Sequence, residues 1–272
     1  MSKYIFASKK KQITIPDLVT LGILPKQVSE YTDADIGSII SIPYTDSSRN
    51  IPSSIEFEIV AVNHHKDISD ESKPTLTLMA KNIILYAEFD SPEPTNTNSA
   101  RSTGGNNRWG TSNIRQWLNS EGKANEWFTP QNEFDTAPSY INKDGFLTGF
   151  ESGIKQHFAT IKNKTILCTV DKNALSQNYE ETEDKIFLLS HTEMGFGSLD
   201  GSVSEGNHLS KKFPNYNTRV FSYDGTTYKY WLRSPYNYSA NYTCYTGTTG
   251  RVDFYTSNNT VNCIIIPFLV LC

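Results

Sequence analysis

The segment Tyr230-Trp231-Leu232-Arg233-Ser234-Pro235, together with the 37 residues beyond it, constrains this chain most. From Tyr236 to Asn262 most residues are Asn, Tyr, Ser or Thr, and an apolar run, Cys263-Ile264-Ile265-Ile266-Pro267-Phe268-Leu269-Val270-Leu271, comes next. An apolar anchor, a polar aromatic display and a closing core strand make a plan for a surface that touches something. Tyr supplies contact area at small entropy cost, and Ser, Thr and Asn supply adaptable hydrogen bonds. Solvated hairpins between strands are the competing reading, because Tyr and Thr also favour strands.

A chain of 272 residues accommodates one large domain or two small ones. With 37% hydrophobic and 12% aromatic residues it can fill a core at this size. Its formal net charge is −4, and its one basic run, Lys9-Lys10-Lys11, is short and reads as a solvated arm. Phosphate binding needs clustered Lys and Arg, so nucleic acid is not expected as a partner. No apolar run is long enough to span a bilayer, and Met1 to Ser8 lacks the apolar centre of a secretory signal. Membrane insertion is therefore not expected. Cys168, Cys244, Cys263 and Cys272 show neither CxxC spacing nor a nearby His pattern, which argues against zinc. They read as reduced thiols of a protein made in a cytoplasm, and a Cys244–Cys263 bridge has no support in the spacing.

In chain order, Ile13 to Gly22 suggests a short helix, with Pro16 in its first turn and Gly22 as its stop. Ile36–Ile42, Ile55–Val62 and Thr75–Ala80 read as strands, with a turn-rich connection from Pro43 to Pro52. Asn82 to Phe89 continues the apolar density, and Ser91 to Asn107 is loop. Ser112 or Thr111 can cap a helix that carries Ile114, Trp117 and Leu118 on one face. A second helix is predicted over Glu151 to Lys162, and a strand over Leu167 to Asp171. Glu180 to Asp184 reads as a solvated acidic turn, Lys185 to Ser190 as a core strand, His191 to Asn217 as irregular, and Tyr228 to Leu232 as strand. Strands at both ends with helices between them indicate an α+β domain.

Catalytic patterns are sparse. None of the five histidines lies in a ligand spacing such as HExxH, and there is no GxSxG or phosphate loop. His191, Glu193 and His208 form the one constellation that a loop could bring together. Arg115 and Arg233 sit beside tryptophans, where arginine commonly satisfies loop carbonyls or a carboxylate.

Three blocks of residues carry a family resemblance. Phe89-Asp90-Ser91 leads to Gly105-Asn106-Asn107-Arg108-Trp109 and Ile114-Arg115-Gln116-Trp117-Leu118-Asn119-Ser120. Trp127-Phe128-Thr129 leads to Ala137-Pro138-Ser139-Tyr140 and Gly145 to Phe150. Lys185 to Ser190 with Glu193-Met194-Gly195 leads to Tyr230 to Pro235. In this order they resemble a domain family frequent in Firmicutes and their bacteriophages. That family is similar to C-type lectin-like folds, among them phage tropism proteins diversified by retroelements. The resemblance covers roughly residues 36–272. The family usually closes on a Gly-Val-Arg-Pro-Ala type segment. Here Ile264-Ile265-Ile266-Pro267-Phe268 keeps the Pro and replaces the Gly and Arg. The calcium pattern of sugar-binding lectins is not evident, and Cys244, Cys263 and Cys272 do not match the catalytic cysteines of formylglycine-generating enzymes.

The expected fold class is α+β of C-type lectin-like kind, with short antiparallel sheets, two main helices and long loops. Residues 1–35 are expected as an arm for attachment or docking, and residues 36–272 as the domain, with its display surface at 236–262. The resemblance implies a bacteriophage virion structural protein, made in the host bacterial cytoplasm and displayed as a capsid decoration or tail component. Its expected partners are other virion proteins of capsid or tail, further copies of itself, and a host cell-surface glycan or protein. Expected contact residues are Tyr236, Asn237, Tyr238, Asn241, Tyr242, Tyr245, Arg251, Tyr255 and Asn258. Trp109, Arg115, Trp117, Trp231, Arg233 and Pro267 are expected to be structural. No catalytic residue, metal or cofactor is assigned, and the chain is not read as an enzyme. The alternative is a free bacterial or prophage ligand-binding module; an enzyme of formylglycine-generating type ranks below both.

Overall fold

Runs of β-branched and aromatic residues fit a pleated, half-buried surface, and they build most of the regular structure here. The computed structural model describes residues 17–45, 53–82, 85–199, 201 and 203–272. The basic run Lys9–Lys11, the first part of the helix predicted at Ile13, most of the turn before Pro52 and the pair Ile83-Ile84 lie outside them. The strands are β1 (Ile39–Pro43), β2 (Ser54–Val62), β3 (Leu76–Ala80), β4 (Ile161–Ile166), β5 (Tyr179–Asp184) and β6 (Ile186–Phe187). After them come β7 (Phe221–Tyr223), β8 (Thr226–Pro235), β9 (Tyr242–Thr246), β10 (Val252–Thr256), β11 (Cys263–Ile264) and β12 (Phe268–Leu271). One sheet has the order β1-β2-β3-β12-β6, a second β10-β9-β8-β11 with β7 on β8, and β4 pairs with β5 alone. The architecture is α+β and mostly antiparallel; β11 runs parallel to β8.

The apolar run at 263–271 divides between the two sheets. Cys263 and Ile264 pair with Lys229 and Tyr230, whereas Phe268 to Leu271 lie between β3 and β6. Pro267 stands at the crossing, and its carbonyl accepts the Ala80 amide at 3.0 Å. Its missing N–H costs nothing there, because the chain is between ladders. All four cysteines are free.

Helices are shorter than expected. Instead of two main helices, the described residues form four short ones: α1 (Ser99–Gly104), α2 (Asn113–Leu118), α3 (Ser152–Lys155) and α4 (Thr169–Leu175). The α2 helix starts where predicted, with the Ser112 hydroxyl accepting from the Arg115 amide and Ile114, Trp117 and Leu118 buried. The helix predicted over Glu151 to Lys162 stops at Lys155. Beyond it the backbone is captured by β12: the Ala159 amide donates to the Val270 carbonyl at 2.8 Å, and Ile161 opens β4. The strand predicted at Leu167 to Asp171 is displaced, since β4 ends at Ile166 and Thr169 begins α4.

The stretch Asp17 to Gly22 forms turns, with Gly22 at φ +71° where only glycine is unstrained. Leu18, Leu24 and Tyr31 of this arm are buried in the common core. The acidic run at 180–184 is a further correction. It is a strand whose alternate residues Glu180, Thr182 and Asp184 point inward. A period of two places every second acid on one face, and the half-buried Arg108 and Arg115 meet them there.

Leu269 is fully buried and pairs with both Leu78 and Ile186. Leu269→Ala should destabilise the fold by about 2–5 kcal/mol, read as a lower urea midpoint at unchanged slope.

Candidate functional site

The display segment hangs on β8, and β8 is fixed by Arg233. This side chain is 1% exposed, so its charge requires compensation inside the protein. Its Nη1 and Nη2 reach the two Glu193 carboxylate oxygens at 2.6 and 3.0 Å. The remaining donors go to the carbonyls of Leu188, Lys164 and Glu205 and to the Thr165 hydroxyl. Glu193 also accepts the Ser190 amide at 2.9 Å and lies 3.3 Å from His65 Nε2. Burial works to raise the Glu193 carboxyl, but Arg233 and His65 outweigh it and hold the group well below the usual range. Glu205 lies nearby, accepting the Ile166 amide and the Ser234 hydroxyl; burial dominates there and pushes its pKa up to about 7. The neighbouring β8 residue Trp231 is buried and donates its indole N–H to the Ala87 carbonyl at 2.9 Å.

A second ionic clamp holds the segment beside it. Asp184 accepts from Arg115 Nε at 2.6 Å, from the Trp109 indole at 3.1 Å and from Asn163 at 2.8 Å. Glu180 accepts from Arg108 Nε at 2.7 Å and from the Gly110 amide. Arg115 also donates to the Gly110 and Glu183 carbonyls, and the Trp117 indole donates to the Asp144 carbonyl. Gly105, at φ +77°, brings the backbone so close to the Asp90 carbonyl that any Cβ would collide with it. Asn107 lies two residues on, fully buried, and its amide donates to the carbonyls of Ser239 and Tyr242 at 2.7 and 2.8 Å. This side chain sets the path of the β8–β9 loop.

The nine expected contact residues fall into separate groups. Asn237, Asn241 and Tyr245 are buried. The Asn237 carbonyl accepts the first amide of α4, Asn241 packs on Gly104, and the Tyr245 hydroxyl donates to Asp253. Asn258 is half-buried and ties β10 to α1 through the carbonyls of Gly104 and Thr103. Tyr245 stacks on Tyr255 at 4.7 Å, and Lys229 Nζ bonds the Tyr255 hydroxyl at 2.8 Å. A different cluster joins Tyr236, Tyr238 and Tyr242 around Phe254. Tyr236 and Phe254 stack at 4.2 Å, and Tyr238 is 71% exposed. Arg251 is exposed at the β9–β10 turn and covers the ring of Tyr216. Phe254, Tyr216, Lys229 and Asn107 escape a reading of sequence alone. Only Phe254 had a signal, since it alternates with Asp253 and Tyr255 along a strand.

His191, Glu193 and His208 do not form a common site. The His191 ring bonds the Gly197 carbonyl, the His208 ring bonds the Phe213 carbonyl, and Glu193 is committed to Arg233. Among the described residues no group of three His, Cys, Asp or Glu is placed to hold a metal ion, and no helix is long and apolar enough to cross a membrane.

The raised Glu205 gives a signed prediction. Between pH 4.5, its ordinary value, and about 7 the folded chain keeps the proton that the unfolded chain releases. Stability must fall as pH rises through that interval. Glu205→Gln, which mimics the protonated carboxyl, should remove this dependence, a relative gain of roughly 3 kcal/mol by pH 7.5. Identical pH profiles of the two proteins in denaturant titrations would refute the assignment.

Neither the curated proteins nor the solved structures give a match to this chain. One family model matches residues 75–270, from the start of β3 into β12, and thus takes in Arg233 with its direct partners and the whole display segment, but not His65. The match covers more than half of the chain, and on that ground the protein belongs to the family described as a domain of unknown function, DUF6273.

Proposed function

We propose that this chain is a C-type lectin-like binding module displayed on a bacteriophage particle, where the cluster of Tyr236, Tyr238, Tyr242 and Phe254 meets a ligand on the host surface. One observation carries the reading: aromatic rings are held in fixed mutual geometry on a rigid ribbon while staying open to solvent. Tyr238 is 71% exposed and Phe254 39% exposed, although each touches the half-buried Tyr236. Rings that served only the core would be buried, as Trp109, Trp117 and Trp231 are. Such a patch offers flat apolar faces with hydroxyls at their rims, which suits a glycan or a protein loop. Placement on a particle rests on the family resemblance, and many copies would turn a weak contact into avidity.

The purified protein, fluorescently labelled, should adsorb to cells of the host. Tyr238→Ala combined with Phe254→Ala should weaken adsorption about thirtyfold or more, with the unfolding midpoint little changed. Undiminished adsorption by the double variant would sink the contact assignment. Mass spectrometry of purified particles tests the display: absence of the protein from virions would return it to the free binding modules.

A further inference from the structure

Among the described residues, five arginines are wholly or largely shielded from solvent, and four of them face a carboxylate. Arg101 pairs with Asp171, Arg108 with Glu180, Arg115 with Asp184 and Arg233 with Glu193, at 2.6–2.7 Å. Arg219 pairs with none among the described residues. It is 5% exposed, its Nη2 donates to the Gly195 carbonyl at 2.9 Å, and its Nε finds no acceptor there. The titratable groups that interact with it are the phenols of Tyr216 and Tyr230 and the imidazole of His191. Its guanidinium covers the Phe196 ring at 4.3 Å and lies 5.2 Å from the Tyr216 ring. Aromatic faces ease the burial of a cation but do not neutralise it.

Arg219 lines a cleft of about 530 Å³ with Phe196, Tyr216 and Arg251, and no acidic residue among the described ones lines it. Arg251 stands 4.8 Å from the same Tyr216 ring. Two guanidinium groups thus share one ring in a cleft whose described lining carries no counter-charge. The wall between them is fixed, because Gly250, at φ +72°, packs directly on the Tyr216 carbonyl. Planar N–H forks lining an open cleft are the chemistry that recognises carboxylate and phosphate. Tyr216, 49% exposed, adds accessible aromatic surface beside the two guanidinium groups, of the kind that packs against a saccharide.

We propose that this cleft binds the anionic group, a carboxylate or a phosphate, of an acidic saccharide. The assignment rests on the host-ligand reading above and names its chemical class. Arg219 is the inner anchor of the anion and Arg251 the outer one, with the sugar ring lying along Tyr216.

Titration of the full-length protein with glucuronate, inorganic phosphate and glucose, monitored by amide NMR, tests this. Glucuronate, phosphate or both should shift the amides of Tyr216, Gly250 and Arg251 saturably, and glucose should not. Response to phosphate alone would identify a phosphate-bearing polymer, and response to glucuronate alone a uronate. Arg251→Gln alters an exposed side chain and should weaken anion binding about tenfold or more. Arg219→Lys keeps the charge but not the fork, and should weaken it in the same direction. The proposal is overturned if neither anion moves these amides, or if Arg251→Gln binds as the parent does. The two readings fail separately. Loss of adsorption in the Tyr238/Phe254 double variant with no anion response removes the cleft only. An anion response in a protein that does not adsorb to cells removes the host-surface role.

Discussion

The buried Arg233–Glu193 pair is the constraint on which the rest depends. A guanidinium at 1% exposure has no water to fall back on, so every chain segment that meets it must arrive in register. Segments 164–165, 188–193 and 205 all supply acceptors, and Glu193 in turn engages His65 from the β2–β3 connection. Removing one partner from such a pair leaves a stranded charge, whereas an apolar replacement of both often does not destabilise. The network therefore specifies an arrangement more than it supplies net stability. What it specifies is the position of β8, from whose end the display segment departs.

The surface loops obey the same logic. A long polar segment rich in Asn, Ser and Thr would be costly to order if its side chains all faced solvent. Here Asn107, Asn241, Asn258 and Ser257 spend their hydrogen bonds on backbone carbonyls or on one another's neighbours, which fixes the ribbon. Only after that framework is satisfied are Tyr236, Tyr238, Tyr242 and Phe254 free to present rings outward. Polarity in a sequence marks the potential to bind, but it does not separate a group that holds a loop from one that meets a ligand. That is why the residues expected at the surface divided as they did, with Asn237, Asn241 and Tyr245 turned inward.

The legible parts of the sequence were those governed by local pattern. The alternation from Ile55 to Ile59 and the apolar run at Thr75 to Ala80 led directly to β2 and β3, and the Ser112 cap led to α2. Errors arose where a tertiary partner overrode local preference. Phe158 and Ile161 have helical spacing from Ile154, yet β12 recruits the backbone there. Glu180 and Asp184 look like a solvated turn until Arg108 and Arg115, some seventy residues earlier, are seen to neutralise them. The cleft at Arg219 left no local trace, since its significance lies in the lack of a carboxylate partner among the described residues, which is a property of three dimensions.

The division of the 263–271 run between two sheets has a kinetic corollary. Ile264 must find Tyr230 and Phe268 must find Met79, so each sheet closes over very different lengths of chain through a single short segment. Contacts of such sequence separation carry a large loop-closure cost before they give any return, which slows folding. They also lock the two sheets into one cooperative unit. Neither can melt without releasing the strand that seats the other, so a load on the display loops is borne by the whole domain.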